Sequence, residues 1–188
     1  RRLGEAAFKR ACATGKPFVK YFMHNGFINV DNQKMSKSLG NFFTVRDIAR
    51  EVDLEAVRMF MLGAQYRSPV NFAREQIEQA DAALKRLYTA RNLYAHISGA
   101  GAEGEADAEV LSAADKLRID FNAAMDDDLN TADALGAIFE FVRIANARLT
   151  EKGTKAGGKA ALNALCEVAG VLGLLYRKED ETPADVLA

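Results

Sequence analysis

The chain has 188 residues, is 49% hydrophobic and carries a formal net charge of −1, which suits one ordinary domain or two small ones with a modest core each. No apolar run reaches the roughly eighteen residues of a membrane helix, Arg1-Arg2-Leu3-Gly4 has no secretory pattern, and the distant Cys12 and Cys166 make neither a disulfide framework nor a paired metal motif; a soluble, cytoplasmic protein with reduced thiols and no membrane partner is expected. The charge is unevenly spread: residues 1–98 hold 16 Lys/Arg against 9 Asp/Glu and residues 99–188 hold 9 against 17, so an anion such as nucleic acid or a nucleotide is expected to meet the first half, unless the excess is merely solvated surface.

In chain order, residues 5–14 read as a helix ended by Gly15-Lys16-Pro17. Residues 18–23 are aromatic and β-leaning, and 27–30 suggest a second short strand, with His24 and Asn25 at the junction between them. Next comes Lys34-Met35-Ser36-Lys37-Ser38, followed by Leu39-Gly40-Asn41. Lysine ammonium groups are compact charges with three donors each, serine hydroxyls add further donors, and Gly40 permits backbone conformations that other residues resist. Such a loop could clamp a polyphosphate; it could also be an ordinary solvated turn.

Thr44, with Asp47 three residues on, reads as an acidic capping box opening a short helix with Val45, Ile48, Ala49 and Val52 on one stripe. Asp53 caps another, with Leu54, Val57, Phe60 and Met61 expected inward and Gly63 closing it. Arg67 follows in a loop, beside Tyr66, where it could meet a phosphate. From about Ala73 to Ile97 runs the longest expected helix, with Ala83, Leu87, Ala90, Tyr94 and Ile97 on its stripe and Lys85, Arg86 and Arg91 on the polar side. The glycine- and glutamate-containing stretch 99–106 reads as a flexible linker. Beyond it, Val110–Ala124, Leu135–Leu149 and Leu162–Tyr176 carry three helical stripes, with a turn-rich connection at 153–158, which predicts an antiparallel bundle docked on the long helix. Asp126-Asp127-Asp128 lacks the spacing of a calcium loop and precedes Asn130-Thr131, so helix capping is expected rather than metal binding.

Lys34 to Ser38 matches the signature loop of class I aminoacyl-tRNA synthetases. Met23-His24-Asn25-Gly26-Phe27, Val30-Asp31, Phe42 to Asp47 and, farther on, Met125 to Leu135 resemble the cysteinyl-tRNA synthetase version of these regions. The resemblance runs from about Cys12 to about Tyr176. It implies that Lys34, Met35, Ser36, Lys37 and Ser38 bind ATP, that Lys37 makes the catalytic contact with Lys34 supporting it, and that tRNA(Cys), ATP and L-cysteine are the partners of an intact, monomeric cysteine–tRNA ligase. Arg67 would be a tRNA contact. The implied fold is mainly α: the end of a Rossmann-like catalytic domain with its short β remnant over 1–43, stem-contact helices over 44–72, a connecting helix over 73–98, the linker over 99–106, and an anticodon-binding-type bundle over 107–188.

Two family features are missing. The His-Ile-Gly-His motif is absent, and the His-His-Glu-Asn-Glu run that helps hold zinc in the intact family enzyme would fall on Arg2 to Ala6, which reads Arg-Leu-Gly-Glu-Ala. No zinc ligand is carried over, and a fragment without adenylation activity of its own is expected. The alternatives are a relative that joins cysteine to an amino sugar in thiol-cofactor (mycothiol-type) synthesis, and a non-catalytic helical module that binds RNA or protein.

Overall fold

The structure is a computed structural model describing residues 9–15, 21, 23–36, 38 and 44–177. It is mainly helical. The strand expected over 18–23 lies largely outside the described residues, as do Lys37 and Gly40; residues 9–14 are helical.

A three-stranded sheet comes first. β1 (Ile28–Val30) and β2 (Gln33–Lys34) form an antiparallel hairpin, and β3 (Val70–Phe72) lies parallel to β1 on its other side. The hairpin turn is Asp31-Asn32, both at positive φ (47° and 62°), the arrangement two-residue hairpins favour and the one Asn and Asp tolerate best. The chain passes from the hairpin to β3 through α1 (Val45–Ile48) and α2 (Leu54–Leu62). The capping box at Thr44 forms as the sequence indicates: the Thr44 hydroxyl accepts from Asp47 N–H while the Asp47 carboxylate accepts from Thr44 N–H. The Thr44 hydroxyl also donates to the Asp47 carboxylate at 2.7 Å; that bond first, and then the one from Thr44 N–H, hold the exposed Asp47 carboxyl below its ordinary pKa. The helix stops at Ile48, and Val45 is 66% exposed, so the apolar stripe expected through Val52 has no fully buried residue; Ile48 and Val52 are half-buried.

α2 starts at its Asp53 cap and ends at Gly63 as expected, but presents a different face. Glu55, Ala56 and Met59 are buried, whereas Leu54 and Met61 are 45% and 41% exposed. The helix is apolar on most sides, so its apolar residues do not choose the inward face. Glu55 does. Its carboxylate accepts from the Tyr88 hydroxyl (2.8 Å) and from the Leu175 N–H (2.7 Å), and the Arg177 guanidinium lies 3.3 Å away. A buried carboxylate is tolerable only with such donors. Asp53 pairs with the same arginine, and Arg58 donates to the Gly173 carbonyl at 2.8 Å. Burial, and then the bond to Glu55, push the Tyr88 phenol above its ordinary pKa.

α3 (Arg74–Ala100), α4 (Ala108–Asp126), α5 (Thr131–Lys152) and α6 (Lys155–Val171) form the helical body, with α4 packed mainly on α5 and α3 mainly on α6. One continuous apolar core runs from Ala56 and Met59 on α2, through Leu87, Tyr94, Leu117 and Ile138, to Leu174 and Leu175. Arg91, assigned to the polar side of the long helix, is buried: its Nη1 donates to the Arg177 carbonyl at 2.6 Å, and its guanidinium lies over the Tyr88 ring. Gly99 and Ala100 are still helical, and Ala102 bridges to Thr154.

The turn expected at 153–158 is shorter than its composition suggests. α6 begins at Lys155, capped by Thr154, and Gly157 and Gly158 are buried in its first turn. A Cβ at Gly158 would stand 2.7 Å from Ser98 N and 2.9 Å from the Ile97 side chain, so glycine there permits close approach of α3 and α6. Past α6, Gly173 and Leu175 take positive φ (66° and 58°) and turn the chain back onto α2. This redirection buries Leu174 and Leu175 and leaves Tyr176, expected in the last stripe, 61% exposed.

Glu55→Ala strands the Leu175 N–H, takes the acceptor from the Tyr88 hydroxyl and leaves Arg177 with Asp53 as its remaining carboxylate partner, and should lower the unfolding free energy by roughly 3 kcal/mol, against about 1 kcal/mol for Tyr88→Phe; urea unfolding distinguishes them. Gly158→Ala should cost about 1–3 kcal/mol through overpacking. The exposed Gly136, where an added Cβ meets nothing within 4 Å, should gain roughly 0.5–1 kcal/mol as alanine. Equal effects from the two glycine substitutions in thermal unfolding would refute the close-approach explanation.

Candidate functional site

The lysine-bearing segment grows out of the hairpin. Lys34 is the last residue of β2, opposite Asn29 on β1, and its ammonium sits 4.5 Å from the centroid of the Phe27 ring. Met35 N–H donates to the Ile28 carbonyl at 3.3 Å and closes the hairpin behind Lys34. Ser36 and Ser38 follow with their hydroxyl oxygens 3.1 Å apart. Lys34, Met35, Ser36 and Ser38 therefore share one short stretch at the edge of the sheet, and Lys37 between the two serines lies outside the described residues. His24 is exposed nearby.

Besides the β1–β3 ladder, two contacts hold the hairpin and its lead-in against β3 and the loop before it. The Asn71 side chain on β3 accepts from the Asn32 N–H at 2.7 Å, gripping the turn itself. Gly26 N–H donates to the Tyr66 carbonyl at 2.7 Å, and a Cβ at Gly26 would fall 2.2 Å from the Ser68 carbonyl oxygen. Only glycine lets these backbones pass so close. β3 in turn is held to α2 by an edge-to-face contact between Phe60 and Phe72, centroids 5.8 Å apart.

Arg67 stands in the loop leading to β3, its side chain 66% exposed. Its Nε donates to the Tyr66 hydroxyl at 3.0 Å, and its Nη2 lies 3.1 and 3.0 Å from the two carboxylate oxygens of Asp128. The bond to Tyr66, followed by the Asp128 charge, holds the Arg67 pKa above its ordinary value. Asp128 thus has a tertiary partner, while the capping of α5 falls to Asn130, whose side chain accepts from Asp133 N–H. Residue counting along the aspartate run missed this contact. The available signal was that Asn130 already supplies a cap, which leaves Asp128 without a local task.

Among the described residues no group of three His, Cys, Asp or Glu side chains comes together as a metal ion would require. The donors among the described residues do not fit a zinc site. Among those residues, too, no helix is long and apolar enough to cross a membrane.

Comparison with known proteins places this geometry in a family. Residues 4–82 match the model of the class I tRNA synthetase (C) catalytic domain, and residues 120–176 match the DALR domain. The chain is 47% identical to the cysteine–tRNA ligase of Caldicellulosiruptor saccharolyticus, covering 93% of this chain and 38% of the relative. It is 45% identical to those of Lachnospira eligens (90% and 36%) and Clostridioides difficile (89% and 37%). The chain spans well under half the length of these relatives. Its fold is similar to part of LeuRS of Agrobacterium radiobacter K84, solved in a ternary complex with tRNA and LeuAMS, with a TM-score of 0.62, 19% identity and coverage of 89% of this chain and 25% of that one. Two family models in succession and relatives sharing nearly half of their aligned residues agree: the chain belongs to the cysteinyl-tRNA synthetase family.

Proposed function

We propose that this chain supplies the phosphate-binding loop and the helical body of a cysteine–tRNA ligase, which activates L-cysteine with ATP and transfers the cysteinyl group to tRNA(Cys) in the cytoplasm. The observation that carries the reading is the match of a class I catalytic-domain model across residues 4–82, the span that holds Lys34 to Ser38. In the activation step the cysteine carboxylate attacks the ATP α-phosphate and pyrophosphate leaves. Lys34 and Lys37 bring positive charge to the departing phosphates, and Ser36 and Ser38 offer hydroxyl donors beside them. Lys34 suits this role because the hairpin fixes its backbone at the exposed sheet edge and its ammonium rests 4.5 Å from the centroid of the Phe27 ring. Arg67, largely exposed, serves as a contact for tRNA phosphate, and the basic excess of residues 1–98 favours nucleic acid on that half.

In the full-length ligase, Lys37→Ala and Lys34→Ala should each slow cysteine-dependent ATP–pyrophosphate exchange on the order of 100-fold. Wild-type exchange in both variants would refute the assignment of the loop. The 188-residue chain by itself should show no exchange, and its gel shift with tRNA should weaken steeply as salt rises.

A further inference from the structure

We propose that Asp128 is a positioning residue for the lysine hairpin: from the turn between α4 and α5 it sets, through Tyr66 and Arg67, where β1, β2 and Lys34 stand. The effect on catalysis that this implies rests on the proposed function; the positioning itself is a property of the fold.

The contacts form an unbroken path. Asp128 accepts from three side chains on the loop before β3: Tyr66 OH at 2.9 Å, Arg67 Nη2 at 3.1 Å and Gln65 Nε2 at 3.3 Å. Gln65 Nε2 also reaches the Asp128 carbonyl at 3.2 Å, and the Thr131 hydroxyl donates to the Leu62 carbonyl at 2.8 Å. Four donor groups making five hydrogen bonds therefore bind the turn and the start of α5 to the end of α2 and the loop after it, across about sixty residues of sequence. Inside the loop, Arg67 N–H donates to Gln65 Oε1 and Ser68 N–H to the Gln65 carbonyl, so the loop moves as a unit. Its Tyr66 carbonyl takes the Gly26 N–H, and the Ser68 carbonyl blocks any larger residue at Gly26. Gly26 leads directly into Phe27, against whose ring Lys34 rests, and into β1, which pairs with β2.

The turn itself is built to hold this pose. Asp128 and Leu129 both have φ of +55°, a conformation that is costly for leucine and persists only where surroundings enforce it. The Asp128 side-chain bonds are the enforcement on one side. The Asn130 cap and the Thr131 bond are the enforcement on the other. An isolated exposed ion pair such as Arg67–Asp128 adds little to stability. A pair that closes a path from the helical body to a catalytic loop instead has its effect on placement.

The test uses the full-length ligase with Asp128→Gly, which removes the carboxylate while suiting positive φ, and Asp128→Asn, which keeps an acceptor for Tyr66 but not the charge for Arg67. Hydrogen exchange at the Gly26 and Met35 amides should speed up roughly 3- to 30-fold in Asp128→Gly and less in Asp128→Asn, with α4 to α6 unchanged. The kcat of ATP–pyrophosphate exchange should fall by a similar factor at constant KM for cysteine. Arg67→Ala added to Asp128→Gly should cost little more, because both remove the same link. Unchanged protection at Gly26 and Met35 overturns the proposal. Faster hairpin exchange together with full activity of Lys34→Ala and Lys37→Ala upholds the positioning and overturns the ligase role of the loop instead.

Discussion

A buried carboxylate organises this protein. Glu55 lies in the interior, where an unpaired charge would be prohibitive, and its partners come from two distant places: Tyr88 on α3, and the Leu175 N–H and Arg177 just past α6. Meeting that one requirement fixes the rotation of α2, the return of the chain after the last helix, and the burial of Arg91 above Tyr88. Apolar packing then fills in around it, with Ala56 and Met59 joining the same core as the four long helices. Non-directional burial could have accepted several rotations of so apolar a helix; the hydrogen bonds accept one.

The small sheet depends on that arrangement. Three strands of two or three residues have little stability of their own, and the hairpin carrying Lys34 needs anchors outside itself. It has the Phe60–Phe72 contact to α2, the Asn71 grip on the turn, and the close passage of Gly26 over the 66–69 loop. Lysine placement at the sheet edge is thus inherited from the helical body.

Glycine illustrates the same economy in two settings. At Gly26 and Gly158 the missing Cβ lets one backbone pass against another, sheet lead-in on loop in the first case and helix on helix in the second. From the sequence, Gly157-Gly158 reads as a turn because glycine disfavours helix interiors. The contact with Ile97 and Ser98 outweighs that preference, and a propensity argument has no access to such a contact.

What the sequence determined by itself is local: the caps at Thr44, Asp53 and Asn130 and the helical stripes of the bundle. These follow from interactions between residues three or four apart, which spacing reports faithfully. The tertiary structure alone decided the inward face of α2, the burial of Arg91, the existence of β3, the exposure of Tyr176 and the partners of Asp128. Each of these turns on a contact between residues 30 to 120 positions apart, and a buried polar group declares its partner only when the chain has folded back to supply the matching donor.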